Sequence, residues 1–150
     1  METISMKSII QIIVLTAVAV SSTLAQGGEM IKWTLSVEGS DATKSTTFEA
    51  RLGAQLFNGW HLYSLSQPEG GPIATVIKLT EGQPFRFSDR IRATPPVKMF
   101  DNNFRMETEY YEDRAEFVLP VSRLPEAISP AEISVEVVFQ LCNEDSCLPP

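Results

Sequence analysis

The chain has 150 residues, enough for one domain and too few for two full hydrophobic cores. Its net charge of −7 argues against nucleic acid or an anionic membrane as partner. Two cysteines and one histidine restrict the available chemistry sharply.

Near the start, Lys7 precedes an apolar run from Ile9 to Val20, broken only by Gln11 and Thr16, and small residues follow at Thr23 and Ala25. This pattern predicts a signal peptide over residues 1–25, cleaved before Gln26, rather than a buried helix or a membrane anchor. The run is short for a bilayer span, and no later stretch offers one, so membrane insertion of the mature domain is not expected. Export gives the cysteines an oxidising compartment in which a disulfide persists.

From Gly27 onward the apolar residues recur with period two. Trp33, Leu35 and Val37 alternate with polar neighbours, and Gly39-Ser40-Asp41 reads as a turn. Phe48, Ala50 and Leu52 form the next alternation. Asn58-Gly59 signals a turn before a strand from Trp60 to Leu65. A glycine-rich loop from Pro68 to Pro72, a strand over Ala74–Leu79 and a turn over Glu81–Pro84 follow. Pro95-Pro96 precedes a strand over Val97–Phe100, and Asp101-Asn102-Asn103 makes a polar loop closed by Phe104. The charges from Glu107 to Glu116 read as a solvated face. Ala115, Phe117, Leu119 and Val121 alternate, and Ile133 through Leu141 is the longest strict alternation. Short strands, intervening turns and no amphipathic helix predict an all-β protein, an antiparallel β-sandwich spanning 26–150.

Within Ile133–Leu141 the odd positions are apolar and face the core. Cys142 then falls on the opposite face, where its sulfur is expected to be reachable by a partner. Asn143-Glu144-Asp145-Ser146 is turn chemistry that folds Cys147 back toward it. Three readings compete for the pair. As a staple it closes a short loop, stabilising by only roughly 2 kcal/mol. As a metal site it lacks further ligands, so no metal and no cofactor is expected. As a redox-active disulfide it has the small ring that thiol exchange needs. Spacing alone leaves redox and staple level. Glu144 and Asp145 disfavour a thiolate, which suits a carrier that reacts when docked and not a cysteine hydrolase.

The segment Phe139-Gln-Leu-Cys-Asn-Glu-Asp-Ser-Cys-Leu-Pro-Pro150 resembles the active-site strand of the N-terminal domain of the thiol–disulfide interchange reductase DsbD family. Asn58-Gly59-Trp60-His61-Leu62-Tyr63 resembles that family's aromatic strand. Asp101 to Phe104, Glu109 to Arg114 and Leu119-Pro120-Val121 resemble its cap loop and the strand that follows. The resemblance implies an immunoglobulin-like sandwich in the periplasm. It further implies electron relay from a thioredoxin-like donor domain to oxidised disulfide isomerases or cytochrome c maturation proteins. By that resemblance Cys147 forms the mixed disulfide and Cys142 resolves it. Phe104 shields the pair, and Tyr63 and His61 line the site, His61 standing where a tyrosine is common. Asn102 and Asn103 replace acidic cap residues. Trp60 is equally suited to the core. The family domain continues past Leu-Pro-Pro into a further strand, so a truncated or stand-alone domain with an exposed sheet edge is expected. The rival reading is a non-enzymatic exported β-sandwich that binds a partner and carries a structural disulfide.

Overall fold

The computed structural model describes residues 30–37, 46–125 and 132–150. The expected signal peptide and the Gly39–Asp41 turn lie outside the described residues. Eleven strands and no helix occur among the described residues: β1 (Ile31–Val37), β2 (Thr47–Leu56), β3 (His61–Tyr63), β4 (Val76–Leu79), β5 (Phe85–Phe87), β6 (Arg92–Ala93), β7 (Val97–Asp101), β8 (Met106–Tyr111), β9 (Arg114–Arg123), β10 (Val135–Val138) and β11 (Leu141–Cys142).

The period-two pattern is strongest in β2 and β9, and these two strands build the first layer. Ala50, Leu52, Ala54 and Leu56 are buried from one, and Ala115, Phe117, Leu119 and Val121 from the other. Their antiparallel register sets Leu52 opposite Phe117 and Ala50 opposite Leu119, so the two apolar rows fall on one face. The layer runs β1-β2-β9-β5, with β6 also paired to β9. Leu35 and Val37, in the second half of the edge strand β1, are exposed. Pro120 stands inside β9, where a missing N–H is normally costly. Its carbonyl accepts the Ser88 N–H, so its missing donor faces the gap between β5 and β6.

The second layer holds a four-stranded sheet, β11-β3-β8-β7, and a two-stranded one, β10-β4. Leu62, Tyr111 and Leu141 reach inward from the former and Ile77 from the latter. Tyr111 meets Phe117 edge-on at 5.6 Å across the sandwich. All strand pairs are antiparallel, which establishes the immunoglobulin-like all-β sandwich expected from the sequence.

The long alternation over Ile133–Leu141 is not one strand. Val135–Val138 pairs with β4, and the chain then changes partner and pairs as Leu141–Cys142 with β3. Gln140 serves this switch: its side-chain oxygen accepts the Ile73 N–H at 2.9 Å and its amide reaches the Leu148 carbonyl at 3.5 Å. The phase survives the break, so Leu141 still faces the main core. The expected strand from Trp60 to Leu65 is trimmed to His61–Tyr63. It is launched by Asn58 and Gly59, whose φ values of 59° and 72° are the left-handed geometry of a tight turn. Within the charged stretch, Glu107, Glu112, Asp113 and Glu116 face solvent while Thr108, Tyr110 and Tyr111 are buried.

Candidate functional site

Strand alternation decides which way each cysteine-strand residue points. Leu141 lies opposite Leu62, and both enter the main core. Cys142 lies opposite His61 and turns to the outer face of the sheet. There a second, smaller cluster forms from Cys142, Tyr63 and Tyr110, with Phe104 and Cys147 packed against it.

The return of the chain to Cys147 is organised by Asn143. Its side-chain oxygen accepts the N–H groups of Asp145 at 3.0 Å and Ser146 at 2.8 Å, and the Ser146 hydroxyl at 3.3 Å. Its own N–H donates to the Ser146 carbonyl at 2.9 Å. An asparagine that ties its side chain two and three residues ahead is a turn builder, as its position between the cysteines suggested. The hairpin sets Cys142 against Cys147 in a disulfide with Cα atoms 4.0 Å apart. Leu148 then donates to the Leu141 carbonyl at 2.8 Å, so the returning chain covers the outer side of β11.

The two sulfur-bearing residues differ in access. Cys142 is 0% exposed, whereas Cys147 is half-buried. The expectation that Cys142 would be reachable is therefore corrected. The outer face was rightly assigned, but Tyr63, Tyr110 and Phe104 cover it.

The cover is held by a residue that sequence reasoning did not single out. Asp101, at the end of β7, is 6% exposed. One carboxylate oxygen accepts the Tyr63 hydroxyl at 2.5 Å. The other accepts the N–H groups of Asn103 at 2.8 Å and Phe104 at 3.3 Å. Its carbonyl accepts the Arg105 N–H at 2.7 Å, and Arg105, with φ 56°, closes the loop in left-handed geometry. These bonds hold Phe104 edge-on to Tyr63, ring centres 5.9 Å apart. The Asn103 amide also donates to the Asn143 carbonyl at 3.3 Å, tying the cap loop to the cysteine hairpin. Asn102 is exposed beside it. The signal for Asp101 was present: an aspartate before two asparagines at a strand end is a turn in which the aspartate accepts backbone N–H groups.

The remaining candidates divide between the layers. His61 and Tyr63 join the cysteine cluster, whereas Trp60 packs on the main core. Tyr110, also not singled out, stacks beneath His61 at 4.4 Å and donates its hydroxyl to the Met99 sulfur at 3.1 Å.

Beside the cluster lies a groove of about 670 Å³, lined by His61, Tyr110 and the exposed apolar side chains of Met99 and Phe100. Four carboxylates also line it, from Asp101, Glu112, Glu144 and Asp145, and none of the described residues lining it is Lys or Arg. Burial and the Asp101 hydrogen bond and charge push the Tyr63 hydroxyl well above the usual tyrosine range. Burial, then Glu112 and Asp101, raise Tyr110. Burial lowers the His61 imidazole, against a smaller upward pull from Asp101 and Glu112. A thiolate formed here meets negative potential, which disfavours it.

Comparison with known proteins places this arrangement. A search of curated proteins returns no match. Among solved structures, the N-terminal periplasmic domain of ScsB from Proteus mirabilis matches with a TM-score of 0.56 at 19% identity. The match covers 80% of this chain and 43% of that one, and at this identity it speaks to the fold. The family described as thiol:disulfide interchange protein DsbD, N-terminal, matches residues 35–150, a span that includes the cap loop and both cysteines. With more than half of its length matched, the chain belongs to the DsbD N-terminal domain family.

Proposed function

We propose that the protein is a periplasmic electron relay, taking two electrons from a thioredoxin-like donor and passing them to oxidised exported proteins through Cys142 and Cys147. Membership in a thiol–disulfide interchange family supports the chemistry. The observation that carries the reading is the asymmetry of the disulfide: one cysteine is sealed and the other half-open, under a loop pinned by a single carboxylate. An inert staple has no use for a hydrogen-bonded cover that seals one cysteine and leaves the other half-open.

The steps follow from that asymmetry. The donor's thiolate attacks the Cys147 sulfur, the disulfide breaks, and Cys142 leaves as a thiolate that takes up a proton. A second donor thiolate attacks the donor sulfur of the mixed disulfide and releases Cys147. The donor is now a disulfide and the pair is two thiols. In the forward delivery, the Cys147 thiolate attacks an acceptor disulfide, and Cys142 then attacks Cys147 to release the reduced acceptor. Oxidised disulfide isomerases and cytochrome c maturation proteins are the acceptor class. Phe104 swings aside on docking. Asn102, exposed at the loop tip, and Asn103 set the loop's approach to the partner.

The oxidised protein, mixed with reduced thioredoxin, is expected to reach a measurable equilibrium. A disulfide that stays intact would make it a staple and leave the binding-module reading. Cys142→Ala should trap a partner at Cys147, and trapping by Cys147→Ala instead would reverse the roles.

A further inference from the structure

The relay steps leave one half-buried residue without a task. His61 is the cross-strand partner of Cys142. Opposed residues on antiparallel strands share a face, with Cβ atoms about 4.5–5.5 Å apart. The ring is wedged between aromatic neighbours, 4.4 Å from Tyr110 and 5.2 Å from Tyr63 by ring centres. Its Nε2 is buried and has no hydrogen-bond partner among the described residues. A buried nitrogen left unpaired is costly, and such a group calls for a reason. The disulfide provides one. A sulfur in a disulfide is a poor acceptor, whereas the same sulfur as a thiolate accepts strongly.

We infer that His61 is the proton-handling residue of the relay, receiving the Cys142 sulfur when the disulfide opens. Resting on the proposed relay, the step balances as follows. The incoming thiolate bonds to Cys147, and the electron pair of the broken S–S bond leaves on Cys142. The imidazolium gives its Nε2 proton to that sulfur, becomes neutral imidazole, and regains a proton from solvent. When the imidazole is already neutral, its N–H hydrogen-bonds the thiolate without giving up a proton.

The other groups facing His61 are unsuited to this. On β3, Tyr63 donates to Asp101 and holds its proton more tightly than an ordinary tyrosine. On β8, Tyr110 donates to Met99 and is likewise raised. Asp101 from β7, Glu112 after β8, and Glu144 and Asp145 from the cysteine hairpin contribute carboxylates, which oppose a new negative charge. Asp101 and Glu112 pull the imidazole toward its protonated form against the larger effect of burial, and the nascent thiolate adds to that pull.

The test is the rate at which dithiothreitol opens the disulfide between pH 5 and pH 8, divided by the reagent's thiolate fraction. For the unaltered protein the corrected rate should rise about tenfold toward pH 5, the scale of one charge-assisted hydrogen bond. His61→Phe should be flat and slower at pH 5. His61→Gln, which keeps a neutral donor, should be faster than His61→Phe at every pH and also flat. If His61→Phe does not fold, the flat profile of His61→Gln carries the comparison. A rise that persists in these variants, or a flat profile in the unaltered protein, overturns the inference. Equilibration with thioredoxin alongside a flat profile would sink His61 alone, whereas the rise without equilibration would sink the relay alone.

Discussion

Asp101 concentrates four hydrogen bonds on one residue, three at its carboxylate and one at its carbonyl. Asp101→Asn replaces one acceptor oxygen with a donor, so either Tyr63 or the loop amides lose their partner. The expected cost is about 1–3 kcal/mol in urea denaturation, with faster hydrogen exchange at the Phe104 amide. Phe104 itself is half-buried over the pair. Phe104→Ala should speed oxidation of the reduced thiols by hydrogen peroxide several-fold, and an unchanged rate would remove the shielding role. His61 contributes a pH signature to the oxidised fold. Its imidazole is lowered in the folded state, so the unfolded chain binds the proton more readily. That contribution is complete above about pH 6.5, the unfolded value, and is lost as pH falls below it. His61→Phe should therefore flatten the part of the stability curve between pH 5 and pH 7, read by chemical denaturation. The cysteine pair was legible because turn-forming residues separate the two thiols. The burial of Cys142 was not, because its cover comes from Tyr63, Phe104 and Tyr110, three segments that meet only in the folded sheet.

At the scale of elements, legibility followed length. β2 and β9 run ten residues each; the alternations read over Phe48–Leu52 and Ala115–Val121 lie within them, unbroken in β2 and lost in β9 from Leu119 to Ser122, where four consecutive residues are buried. β5 and β6 have three and two residues, too few to show a period, and exist because β9 offers them a ladder. The Ile133–Leu141 alternation reported a face and not a strand: side-chain phase continued while the hydrogen-bonding partner changed from β4 to β3. β8 was hidden within a charged stretch, since its buried tyrosines sit among exposed acids. The cysteine hairpin is the element on which the redox poise depends. Asn143→Ala removes three hydrogen bonds that hold the thiols together. The disulfide should become easier to reduce by about tenfold in equilibrium, or about 30 mV, measured against a glutathione redox buffer. An unshifted potential would show that the sheet alone positions the sulfurs.

For the molecule as a whole, the sandwich gives the site two different walls. The main core fixes β3 and β11 from behind through Leu62 and Leu141, so the disulfide is mounted on a rigid layer. The cap loop in front is anchored through one side chain and an asparagine tether. If the pair cycles as proposed, chemistry at the front would leave the back undisturbed, which suits repeated passage between oxidised and reduced forms.

Sealing Cys142 while leaving Cys147 at the rim has a kinetic outcome. In the proposed relay, giver and receiver would use the same doorway, so they would visit in turn and each would block the other. Steady-state assays that vary both should give parallel double-reciprocal lines, with inhibition when either is in large excess. Intersecting lines would mean that a second entrance to the sulfurs exists.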